Sequence, residues 1–202
     1  MSGSTLLHHD LITAAARCPD KTAIIFAGHR YTYADVARRS RSLAAFLQRH
    51  GVERGDRVAQ FLDNGIDFVV GVYATLMAGA VFMPVNPLTK ADKVAYMLAD
   101  ARAKALLTQA ALADEWVPAL KGAPTVSLTL VTGGEAPAPA TVWPEPDAAD
   151  PTAPGTIDRD LAAIIYTSGS TGFPKGVMLS HLNMVSAVRS VSDYLGLVES
   201  DI

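Results

Sequence analysis

From Phe68 to Thr89 no residue carries a charge, and this run restricts the chain more than any other feature. It is long enough to suggest a membrane span. Gly79, Pro84, Asn86 and Pro87 break it, so the expectation is a buried helix, a stop at Gly79 and a short buried strand from Val81 to Val85. Ile66, Phe68, Val69, Val70, Val72, Tyr73, Leu76 and Met77 leave that helix almost no polar face. A helix of this kind has to be covered on more than one side.

The neighbouring segments extend the pattern. Leu6 to Ala16 has a helical apolar face, and Pro19 and Asp20 end it. Thr22 to Phe26, the turn Ala27-Gly28-His29 and Arg30 to Thr32 read as a small hairpin. Thr32 and Asp35 have cap spacing for a helix that Gly51 should stop. Arg57 to Leu62 reads as a strand, and Asn64 with Asp67 repeats the cap spacing for the apolar helix. Thr89 and Asp92 repeat it again for a helix through Ala101. Lys104 to Thr108 and Thr125 to Val131 read as further strands. Strands alternating with helices of this length imply βαβ units, hence an α/β fold with a mostly parallel sheet and flanking helices.

Bulk composition limits the function classes. The chain has 202 residues, half of them apolar and 18% charged, enough for a sizeable core. The net charge of −3, and the placing of Arg38, Arg39 and Arg41 beside Asp35, argue for a solvated face and against nucleic-acid binding. The one cysteine, Cys18, allows no internal disulfide and fits a reducing, cytoplasmic setting. No basic segment followed by an apolar core opens the chain, so no signal peptide is expected.

Residues 132–160 differ from the rest. They hold half of the chain's 12 prolines and show almost no apolar periodicity. We read them as a surface connection between an N-terminal α/β subdomain, residues 1–131, and the start of a second subdomain, residues 161–202.

Leu161 to Tyr166 is a continuous apolar run, the pattern of a strand buried on both faces. Directly after it comes Thr167-Ser-Gly-Ser-Thr-Gly-Phe-Pro-Lys-Gly176. Gly169, Gly172 and Gly176 permit unusual backbone conformations. The hydroxyls of Thr167, Ser168, Ser170 and Thr171, together with free backbone N–H groups, can surround polyphosphate oxygens. Lys175 adds a full positive charge. A polyphosphate is densely anionic, so its charge has to be neutralised wherever it is held. The run is not a Walker A loop: two residues separate Gly172 from Lys175, Gly176 follows the lysine, and Val177 to Leu179 read as a strand.

The run from Ile164 to Val177 resembles the signature of AMP-forming, adenylate-forming enzymes, which include acyl-CoA synthetases and peptide-synthetase adenylation domains. Tyr31-Thr-Tyr-Ala-Asp-Val36 and Leu76-Met-Ala-Gly-Ala-Val-Phe-Met-Pro-Val-Asn-Pro87 are similar to two further family segments. The resemblance implies that Thr167, Ser168, Gly169, Ser170, Thr171, Gly172 and Lys175 hold the ATP phosphates. It also implies Mg as cofactor, with Thr167 as a ligand; the other reading of Thr167 is a strand-end hydroxyl bonded to backbone. The implied partners are a small carboxylic acid and a thiol, coenzyme A or a carrier protein. His181 and Asn183 read as helix-start residues. The family's later motifs, with its catalytic lysine, have no counterpart here. The expectation is therefore an N-terminal portion, inactive alone, that leaves apolar sheet surface exposed. Two rival readings stand beside acyl-CoA synthesis: amino-acid or aryl-acid activation, and a nucleotide-binding fragment without catalysis.

Overall fold

The structure is a computed structural model that describes residues 5–167, 173–198 and 201. Helix α1 (Leu7–Arg17) leads into a hairpin of β1 (Thr22–Phe26) and β2 (His29–Thr32). Then follow α2 (Tyr33–Arg49), β3 (Arg57–Phe61), α3 (Ile66–Met77), β4 (Val81–Val85), α4 (Ala91–Asp100) and β5 (Ala105–Gln109). The chain continues through α5 (Ala113–Leu120), β6 (Leu128–Thr132), β7 (Thr141–Val142), β8 (Leu161–Thr167), β9 (Lys175–Ser180) and α6 (His181–Leu195). One seven-stranded sheet runs β7-β6-β5-β3-β4-β8-β9 and is parallel except for β9. This is the α/β architecture that the alternating pattern predicts.

Side chains alternate across a strand, so one sheet serves two cores. Val58, Leu107 and Leu130 point into a cluster with α2 and α3. Ala59, Phe61, Leu106 and Val131 point into another, with Val94 and Leu98 of α4 and Trp116 of α5. The charge-free run accordingly forms α3, on one face, and β4, inside the sheet. Among the described residues no helix is long and apolar enough to cross a membrane. Gly79 ends the turn after α3 at φ +81°. A Cβ there would stand 2.5 Å from Pro154 Cβ, so glycine also admits the long connection.

Two of the expected caps are made differently. Thr32 and Asp35 do form a reciprocal capping box on α2. Helix α3 instead starts after Gly65 with no side-chain cap, and Asp67 accepts from the Thr132 hydroxyl at 2.7 Å. Helix α4 starts after Lys90 rather than Thr89. Glu115 of α5, a helix the periodicity did not reveal, accepts from Ala91 N at 2.8 Å and from Lys90 Nζ at 2.6 Å. A carboxylate distant in sequence thus does the work of a local cap.

The connection over residues 132–160 is fastened along α2. Ser42 exchanges hydrogen bonds with Asp147, Gln48 with Thr152, and Arg54 holds the carboxylate of Asp160 with two nitrogens. It returns the chain to the far side of the sheet, where β8 joins β4 through Phe82 and Ala163.

Candidate functional site

In the central strands the connections leave toward opposite faces. The chain after β3 turns into α3, whose residues pack on one face, and the chain after β4 turns into α4 on the other. Such a divergence opens a crevice at the carboxyl ends of parallel strands, where α/β sheets bind ligands. Here the crevice measures about 620 Å³ and is lined by Leu62, Asn64, Phe68, Pro84, Asn86, Leu88 and Tyr166. Asp63 and Gln109 brace its floor by exchanging hydrogen bonds at 2.9 and 2.6 Å. A smaller hollow of about 210 Å³ lies beside Trp143 at the end of β6 and contains none of the predicted phosphate-binding residues.

Tyr166 connects the crevice to the glycine-rich segment. Strands β8 and β9 form an antiparallel pair whose last rungs are Tyr166 with Gly176 and Thr167 with Lys175. These rungs stand at the end of the ladder, next to the crevice residue Tyr166. Thr167 and Lys175, far apart in the written motif, become direct neighbours. Both are exposed. The Thr167 hydroxyl has one long contact, to the Lys175 carbonyl at 3.5 Å. This hydroxyl is a strand-end group only loosely held by backbone, so it can turn toward a ligand. Ser168, Gly169, Ser170, Thr171 and Gly172 lie outside the described residues. A strand follows the lysine, as read from the sequence, whereas a Walker A loop would lead into a helix.

The residues flanking the glycine-rich segment are braced by side chains that sequence reasoning missed. Tyr166 donates its hydroxyl to Asp100 Oδ2 at 2.5 Å. Burial and then the Asp100 contact push the phenol upward, so it stays a donor. Tyr96, one helical turn before Asp100, rests against the Phe173 ring with centroids 5.1 Å apart. The end of α4 therefore contacts a residue on either side of the glycine-rich segment, Tyr166 and Phe173. The i,i+4 spacing of Tyr96 and Asp100 was visible, but nothing in it named the partner. Gly176 lies under Tyr166: a Cβ there would sit 2.8 Å from Ile164 Cγ2 and 3.3 Å from the phenol ring. The glycine is required for close approach.

After Lys175 the strand runs directly into α6. Ser180 and Asn183 form a capping box at its start, which bears out the reading of Asn183 as a helix-start residue. The backbone N–H groups of His181 and Leu182 donate to the carbonyls of Asp160 and Asp158. Among the described residues no group of three or more His, Cys, Asp or Glu side chains gathers as a metal site.

Against known proteins, the family model described as AMP-binding enzyme matches residues 11–202. Tyrocidine synthase 2 of Brevibacillus parabrevis is 35% identical over 189 residues, which are 92% of this chain and 5% of that protein. A long-chain-fatty-acid-CoA ligase of Archaeoglobus fulgidus superposes with a TM-score of 0.83 at 27% identity, over 100% of this chain and 42% of the ligase. A benzoate CoA ligase of Burkholderia xenovorans LB400 gives 0.83 at 25% identity, over 97% and 39%. The chain thus spans less than half of each of these relatives.

Proposed function

Because the chain belongs to the AMP-binding enzyme family, we propose that it supplies the phosphate-binding part of an ATP-dependent ligase that converts a carboxylic acid to an acyl-adenylate and passes the acyl group to a thiol. The observation that carries this reading is the rung pairing Thr167 with Lys175, next to Tyr166 of the crevice lining. Residues opposite one another in an antiparallel rung share one face of the ladder, here beside a sequence segment rich in hydroxyls and glycines. The β- and γ-phosphates lie there, with Lys175 opposing the charge that grows as pyrophosphate leaves. Ser168, Ser170, Thr171 and the backbone of Gly169 and Gly172 complete the cradle.

The residues present fit magnesium. That ion keeps most of its waters and takes one or two protein oxygens with substrate phosphates. A lone exposed hydroxyl such as that of Thr167 meets this need without a carboxylate cluster. The ion would screen the phosphate oxygens.

Coenzyme A is the acceptor we favour, because the solved likenesses above are CoA ligases. The 35% identity to a tyrocidine synthase supports the rival reading, an amino acid loaded onto a carrier protein. A cytoplasmic setting suits both. The test has two steps. Calorimetry should show Mg-ATP binding by this chain that Lys175→Ala weakens; unchanged affinity in the variant removes Lys175 from the phosphate site. ATP–pyrophosphate exchange by the protein containing this segment, run on fatty, aryl and amino acids, then selects the acid. Exchange with amino acids alone overturns the CoA-ligase choice.

A further inference from the structure

The first turn of α1 is held by a side chain distant in sequence. The backbone N–H of Leu7 donates to Nδ1 of His181 at 3.2 Å. That bond places the His181 hydrogen on Nε2. His181 is only 1% exposed and is the first residue of α6, directly after β9. The Leu7 side chain packs against the cluster of Leu76, Phe82, Ala162 and Ala163, as do Ile165 of β8, Leu179 of β9 and Met184 of α6. Leu7 of α1 is thus bonded to the first residue of α6 and shares one core with residues of β8, β9 and α6. His8, next along α1, is 5% exposed, and its Nδ1 has no hydrogen-bond partner among the described residues. Its ring meets that of His181 with centroids 5.8 Å apart, and that of His9 at 4.7 Å.

We propose that His181 is a positioning residue which, with His8, clasps α1 to the β9–α6 junction and so holds the phosphate-binding hairpin in place. This rests on the reading of that hairpin as the ATP site.

The clasp also responds to acid. Burial pushes His8 down to about 3, with His9 and His181 adding to the effect. Burial lowers His181 as well, against the opposing pull of Asp160. The charged and titratable groups near the pair are His9 on α1, Arg41 on α2, and Asp150 and Asp160 on the connection. Asp160 is already engaged by Arg54. Each buried imidazole binds a proton less readily in place than when released. The clasp is therefore at full strength above the ordinary value of 6.5 and weakens as pH falls from there toward about 3. Protonated His181 has no acceptor for the Leu7 N–H, and protonated His8 puts a buried cation at the positive end of α1.

Amide hydrogen exchange on the intact chain tests this, with rates corrected to the unstructured chain at each pH. Between about pH 7.5 and about pH 5, α1 should lose protection and β9 should follow. His181→Phe keeps the bulk and removes the acceptor; at neutral pH it should cut protection of both elements about tenfold. His181→Asn, whose Oδ1 can replace Nδ1, should restore it. His8→Leu should move the acid transition to lower pH. Mg-ATP affinity should fall in His181→Phe and return in His181→Asn. A flat pH profile, equal impairment in the Asn and Phe variants, or loss at α1 with β9 untouched overturns the proposal. Exchange is measured without nucleotide, so failure of the ATP reading would appear separately, as no binding by the unaltered chain.

Discussion

The sheet from β6 to β4 and the arm formed by β8, β9 and α6 belong to one molecule but are held by different forces. In β5 every residue from Ala105 to Thr108 is buried, and helices cover both faces. In β9 residues 175–178 are exposed, and α6 shows Val188, Val191, Tyr194 and Leu195 to solvent. This is the exposed apolar surface that the sequence led us to expect. The body is secured by packing, where each lost methylene leaves a void. The arm is packed at β8 and at the start of α6, while its outer half relies more on directional contacts: Tyr166 with Asp100, Ser180 with Asn183, His181 with Leu7. An arm held this way can adjust around a polyphosphate while the body keeps its strands in register.

The comparison predicts graded effects. Leu107 is fully buried beneath α3, so Leu107→Ala should cost about 3 kcal/mol of unfolding free energy in a urea titration. Met178→Ala, on the open face of β9, should cost a few tenths of that. Equal losses would mean that the arm is packed as tightly as the body. Lys175→Ala should reverse the ranking, with no change in the urea midpoint but roughly ten- to hundredfold weaker Mg-ATP binding. Third come the two capping boxes. Thr32→Ala should lower global stability by about 1 kcal/mol, whereas Ser180→Ala should raise amide exchange in α6 and leave the global midpoint nearly unchanged. A shared global loss would show that arm and body unfold as one. The smallest effect is expected at Tyr194, 89% exposed: Tyr194→Ser should stay within about 0.5 kcal/mol. It should also reduce self-association in light scattering, and an unchanged particle size would mean that the open face is not adhesive.

Legibility followed the same division. The apolar helix, its stop at Gly79, the strand Val81–Val85 and the Thr32–Asp35 cap were readable because each depends on residues a few positions apart. The pairings Asp67 with Thr132, Glu115 with Ala91 and Asp100 with Tyr166 were not, because their members come from separate elements. Helix α5 escaped because it is short and contains Pro118, so its large buried anchor, Trp116, had no periodic stripe around it. His181 read correctly as a helix-start residue. Its role as acceptor for Leu7, at the opposite end of the chain, left no local trace.

By itself the amino-acid order determined the α/β alternation and the chemistry of Thr167 to Gly176: which positions bear hydroxyls, which bear glycine, and where the single ammonium stands. These are properties of short segments, set by periodicity, backbone freedom and side-chain type. Only the tertiary structure decided that Thr167 and Lys175 form one rung, that the neighbouring Tyr166 lines the crevice between β3 and β4, and that Asp100 of α4 holds Tyr166. Those relations depend on strand order, and strand order is set by which faces can be buried together rather than by any one segment.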